Sequence, residues 1–208
     1  TIGQTAKLFV DNYKKEKQVF ITGSSTINLL ESTEESLTGR KYVYALFPLS
    51  LEELYPQKNM LEIFKNLERL LIFGTYPDII NQKSFEEKRE LLKTLTTSYL
   101  YRDILELSSL KRPDALYALL KALALQIGSE VSYRELSSLI GVDKNTIERM
   151  IDLLEKSYII FRLSPYTKNK RREISKLKKI YFYDVGIRNA IINNFNFLDQ
   201  RNDTGMLW

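Results

Sequence analysis

Seven basic residues crowd the stretch from 167 to 179: Lys168, Lys170, Arg171, Arg172, Lys176, Lys178 and Lys179, with Glu173 as the single acid among them. That run carries +6 while the whole chain carries +5, so the remainder is close to neutral at −1. A local excess of this kind suits a polyanion. Tyr166 and Asn169 beside it add a ring that can stack and an amide that can hydrogen-bond. The plainer alternative is a solvated hairpin tip. Three other places offer chemistry. Thr22-Gly23-Ser24-Ser25 sets three hydroxyls after a short apolar run, with a helix-capping turn as the plain reading. Arg40 follows a glycine in a loop, where Glu34 or Glu35 could pair with it. Arg102-Asp103 sits among apolar neighbours, where an unpaired charge is costly, so a structural pair with Asp103 or Glu106 is the alternative to a functional role.

Composition narrows the chemistry further. The chain has neither cysteine nor histidine. No Ser-His-Asp triad, Cys-His pair or thiolate zinc site can be assembled from it, and no metal site is expected. The absence of disulfides leans towards a reducing compartment, so a cytoplasmic location is expected. No apolar run approaches the roughly 20 residues of a membrane-spanning helix. With 208 residues, 44% apolar and 27% charged, the chain suits one large globular domain or two small ones. Thr1 and the apolar end at Trp208 read as cut ends of a longer protein.

The elements that must hold these residues can be read from periodicity and caps. Residues 2–14 have helical spacing. Val19-Phe20-Ile21 and residues 41–49 read as strands, the first buried and parallel, and Ser50 with Glu53 as a capping box. Two such strands cannot make a stable sheet alone, which points to further strands upstream. Helices are predicted over 59–73, ended by Gly74, and over 84–107, capped by Ser84, with a turn at 75–78 between them. Then come a helix from Pro113 to Gly128, a second capped by Ser132 with Glu135, ended by Gly141, and a third from Asp143 to Lys156. Strands at 158–163 and 178–183 follow, and Asp184 caps a last helix. Two short helices joined at a glycine, followed by a strand pair, match a winged helix-turn-helix, and the basic run becomes its wing. The third helix carries three basic residues against four acidic ones from Asp143 to Lys156, a poor surface for a phosphate-lined groove.

Six segments, in order and at matching spacing, resemble one family: Val19 to Ser25, Glu35 to Arg40, Pro48-Leu49-Ser50, Gly74 to Pro77, Tyr101 to Ile104 and Lys179 to Gly186. The chain is similar to prokaryotic AAA+-type ATPases that carry a winged helix and a restriction-endonuclease-like C-terminal domain of unknown function. The resemblance implies ATP and Mg²⁺ in the parent protein, bound by a phosphate-binding loop upstream. No G-x-x-x-x-G-K-[ST] occurs in this chain, so the chain itself is expected to be non-catalytic. It also implies nucleotide sensing: Ser24 or Ser25 at a strand tip, Arg40 as an arginine finger or γ-phosphate contact, and Arg102 as a contact from the lid.

The expected architecture is an α/β remnant plus a mostly α part. Residues 1–58 would be the C-terminal part of an AAA+ core, 59–110 a helical lid and 111–208 a winged helix with a trailing helix. Expected partners are nucleic acid, the remaining domains of the parent chain and other copies of the parent. The rival readings are a winged-helix transcription regulator without ATPase activity, its first half serving dimerisation, and a protein–protein docking module.

Overall fold

Side-chain caps open five of the nine α-helices among the described residues. In a computed structural model that describes residues 2–13, 16–23, 37–57, 60–100, 112–166 and 177–207, α1 spans Ile2–Tyr13 and α2 spans Leu51–Leu54. The Ser50 amide donates to Glu53 Oε2 at 2.8 Å and the Glu53 amide donates to Ser50 Oγ at 3.2 Å, a complete capping box. The helix α3 (Met60–Phe73) stops at Gly74, whose φ of 73° is a conformation that glycine adopts without strain. Pro77 opens the short α4 (Pro77–Asn81), where only a turn was expected. Buried Lys88 closes its end, donating through Nζ to the carbonyls of Ile79 and Ile80.

The helix α5 (Phe85–Thr94) starts with a second capping box, Ser84 with Glu87. It does not run to Leu107 as a uniform α-helix. A π-helical turn occupies Leu95–Leu100, where the Thr96 and Thr97 hydroxyls donate back to the carbonyls of Leu92 and Lys93. Back-bonding of this kind bends helices.

The second half runs α6 (Pro113–Leu125), β1 (Glu130–Val131), α7 (Tyr133–Ile140), α8 (Lys144–Lys156), β2 (Ile160–Leu163), β3 (Lys178–Phe182) and α9 (Val185–Ile191). Single 3₁₀ turns follow at Leu198–Gln200 and Thr204–Met206. The strands form an antiparallel sheet in the order β1-β3-β2. Lys179 faces Glu130 on one side and Leu163 on the other, and Phe182 faces Ile160. The two-residue β1 was not legible in the sequence, because so short a strand has no periodicity of its own.

One core runs through both halves. Ile72, Phe73, Ile79 and Leu92 join Leu116, Leu123, Ile147, Met150, Ile180 and Ile187 in a continuous apolar cluster. The link is α9, which packs against α3, α5 and α6 together. Packing therefore crosses the division expected between residues 110 and 111.

The described residues are mostly helical with one small sheet. The strands expected at 19–21 and 41–49 carry no ladder among those residues, and their apolar side chains face outward. Phe20 is 86% exposed, Tyr42 89% and Leu46 93%. A strand needs a partner along its length, and the second stretch meets another segment's backbone at its end, where the Leu49 amide donates to the Thr75 carbonyl at 3.1 Å. Phe47 is the member of that stretch that docks inward, stacking on Tyr183 with ring centroids 5.0 Å apart.

Candidate functional site

The connection between β2 and β3 holds five of the seven basic residues, and the first two positions of β3 hold the others. Gly141, at φ 74°, closes α7, and Asp143 opens α8 by accepting from the Thr146 amide at 2.9 Å and from its hydroxyl at 2.5 Å. The apolar stripe Ile147, Met150, Ile151 and Leu154 is fully buried, as its spacing predicts. Lys144, Asn145, Glu148 and Arg149 are left exposed.

Arg162 on β2 ties the sheet to this helix. Its guanidinium reaches Asp152 at 2.8 Å and Glu155 through Nε at 2.8 Å, while its backbone amide donates to Glu155 at 2.9 Å. Burial works to raise the Glu155 carboxyl, yet the bonds from Arg162 hold it below its ordinary value. Two of the four acids counted from Asp143 to Lys156 are therefore neutralised by a residue outside that stretch. A third, Asp143, is occupied as a cap. The face of α8 is less acidic than its sequence suggests, with Lys144, Arg149 and Lys156 standing against Glu148.

Of the seven basic residues, Lys178 and Lys179 lie in the described part, at the first two positions of β3. Lys179 is exposed and Lys178 half-buried. Lys168, Lys170, Arg171, Arg172 and Lys176 lie outside the described residues, as do Ser24, Ser25 and Arg102. Behind Lys179, the outer sheet face carries a run of rings. Tyr181 stacks on Phe161 at 5.5 Å, and Phe161 lies 5.1 Å from Tyr183.

Arg40 pairs with Asp11 of α1 at 3.0 Å, and both side chains are less than half exposed. The expected partners Glu34 and Glu35 lie outside the described residues. A pair in this setting contributes on the order of 0–1 kcal/mol, enough to orient the 37–40 turn on α1 but little more.

Two polar junctions escaped the sequence reading. The first joins Gly74-Thr75-Tyr76 to Asp184-Val185-Gly186. Asp184 is 4% exposed; its Oδ2 accepts the Thr75 amide at 2.7 Å and its Oδ1 accepts the Ile187 amide at 2.9 Å. Burial pushes its carboxyl up to about 6, although three backbone amides work against that. The Tyr76 hydroxyl is pushed up to about 12, by burial first and then by the Asp184 charge. The space between Tyr76, Tyr158, Asp184 and Ile187 has no room for a water molecule, and the Asp184 carboxylate clasps two segments there.

The second junction surrounds Asp203. Arg188 reaches it at 2.5 Å and Arg201 at 2.8 Å, while Asn189 donates to the carbonyls of Leu71 and Ile72 at 2.9 Å each. The one signal for the first junction was the pair of glycines facing Asp184. Nothing in the sequence pointed to the second. Among the described residues, no three His, Cys, Asp or Glu side chains converge as a metal site would need. No helix among them is long and apolar enough to cross a membrane.

Residues 64–198, which include α4 to α9 and the junction at Asp184, match the model of a Domain of unknown function (DUF8612). The chain belongs to this family. The DUF8612 match begins inside α3 and takes in the helices α4 and α5 as well as the sheet. Residues 1–55 match an AAA domain model, which makes the start of the chain AAA-like. Uncharacterized protein MJ1637 of Methanocaldococcus jannaschii is 25% identical over 214 residues, covering 88% of this chain and 45% of that protein. Uncharacterized protein MJ1544 of the same organism is 27% identical over 206 residues, covering 88% and 47%. An uncharacterized protein of Haemophilus influenzae is 24% identical over 184 residues, covering 84% and 46%. The chain thus spans about half the length of these relatives. No solved structure matches it.

Proposed function

We propose that this chain is the winged-helix-bearing part of an AAA-type ATPase, and that it holds duplex DNA through phosphate contacts from the basic β2–β3 connection. The observation that carries the reading is the helix–strand–helix–helix–strand–strand order of α6, β1, α7, α8, β2 and β3, with +6 of charge placed on or beside the one connection such a fold projects outward. The AAA match over residues 1–55 supports the ATPase half of the reading. ATP and Mg²⁺ would be held by a phosphate-binding loop elsewhere in the parent, beside the restriction-endonuclease-like domain that the resemblance implies.

Contact should be weak and indifferent to base sequence, since phosphates carry no sequence information. If the connection makes about four phosphate contacts, log K against log salt has a slope near −3.6, at roughly −0.9 per contact. Fluorescence-anisotropy titration of a labelled duplex at several salt concentrations measures it. No binding at low salt removes the DNA reading and leaves a protein-docking role for this module.

Ser24, Ser25, Arg40 and Arg102 remain the proposed nucleotide sensors. In the full parent, Ser24→Ala and Arg40→Ala are expected to lower kcat more than they weaken nucleotide binding, because contacts made only in the transition state act on kcat. Unchanged turnover in both variants would return them to structural roles.

A further inference from the structure

A groove of about 280 Å³ opens between α3, the start of α5 and the segment around Phe197. Its floor is Ile72, which is fully buried, and its walls are Phe85 and Phe197, 45% and 46% exposed. The two rings stand 5.8 Å apart, and Phe85 rests in turn against Phe73 at 5.2 Å. Lys65 and Arg69 rise on the rim one helical turn apart. Neither has a carboxylate partner among the described residues. The acid between them, Glu68, is already engaged: it accepts the Leu198 amide at 2.9 Å, a bond that fixes the segment bearing Phe197. One turn before Lys65 on the same stripe stands Leu61, 70% exposed, with Phe64 beside it at 64%.

We infer that this groove docks an acidic segment of a partner protein, anchored by one large apolar side chain. A single aromatic or leucine side chain laid against the outer faces of Phe85 and Phe197 would be the energetic centre of such a contact. Acids on either side of the anchor would answer Lys65 and Arg69, and Leu61 and Phe64 would extend the apolar strip. The inference is independent of the DNA reading, because the groove shares no residue with the basic connection.

The probe is a fluorescein-labelled peptide with one central Trp flanked by Asp and Glu, titrated with this chain at low ionic strength. The expected result is saturable binding that weakens roughly tenfold or more in Lys65→Glu/Arg69→Glu, equivalent to about 1.4 kcal/mol. Phe197→Ala should weaken it similarly, and the Lys170/Arg171/Arg172 charge reversal should leave it unchanged. The Lys65/Arg69 positions are on the surface, so folding of that variant, checked by circular dichroism, is not at risk. Equal binding of the same peptide with Ala in place of Trp would overturn the anchor. Undiminished binding to the Lys65/Arg69 variant would overturn the site, as would displacement of the peptide by a poly-dT strand that needs the same two residues.

Discussion

Gly186→Ala is expected to destabilise the protein by about 3 kcal/mol, the upper end of what overpacking usually costs, and to lower Tm by roughly 6–12 °C. Helix propensity alone argues the opposite, since Gly186 sits inside α9 and alanine is favoured there by about 1 kcal/mol. Sterics decide the sign. A Cβ at Gly186 would lie 2.1 Å from the Phe73 carbonyl oxygen and 2.9 Å from Asp184 Oδ1, so α9 would have to move off α3. That movement would also open the clasp in which Asp184 accepts the Thr75 amide. Gly74 faces the same carboxylate, at 2.1 Å for an added Cβ, and its φ of 73° adds strain to any substitution. Differential scanning calorimetry of Gly186→Ala checks the first value. A variant as stable as the wild type would mean that α9 and α3 do not approach this closely.

The second large effect is expected at Asp203. Its carboxylate serves two arginines whose side chains are 1% and 0% exposed, so Asp203→Ala leaves two buried guanidinium groups without their anion. Removing one partner of a buried pair costs about 3–5 kcal/mol. The bonds from Arg201, then those from Arg188, hold the Asp203 carboxyl well below the usual carboxylate range. Its folded value is thus lower than its unfolded one. The stabilisation is present above the ordinary carboxylate value near 4 and is lost as pH falls below it. Asp184 works in the other direction. Its folded value of about 6 lies above the ordinary 3.8, so its contribution weakens by about 3 kcal/mol as pH rises from about 4 to about 6. Urea denaturation of wild type and Asp203→Ala at pH 7 and pH 3 separates the two. The gap between them should be large at pH 7 and smaller at pH 3, and a gap that ignores pH would contradict the pairing.

How much could be read from the sequence followed the range of the interactions involved. Caps span three residues, so Ser50 with Glu53, Ser84 with Glu87, and the Asp143 and Asp184 caps were all legible, as was the buried face of α8. Strands need partners that a local pattern does not reveal. The stretches at 19–21 and 41–49 have the composition of strands and no ladder among the described residues, while the two residues of β1 had no strand composition and found β3. The clasp between Thr75 and Asp184 spans 109 residues, and the bonds from Asn189 to Leu71 and Ile72 span more than that. Arg162 illustrates the same limit for charge: the acids of α8 looked free in the sequence because their partner stands on the next strand.

That revision of α8 narrows the charge contrast on which the DNA reading rests without removing it. With Asp152 and Glu155 occupied by Arg162, the helix face has little net charge to attract phosphates or to repel them, while the sequence from 167 to 179 carries a formal +6. The deciding measurement is duplex-DNA anisotropy at several salt concentrations on two charge-reversed variants, Lys170/Arg171/Arg172 to Glu and Lys144/Arg149 to Glu. The first variant should lose most of the affinity and flatten most of the salt slope of about −3.6, and the second should change both only slightly. Loss of binding in the Lys144/Arg149 variant, with binding retained in the other, would place DNA on α8 and contradict the proposed role of the connection.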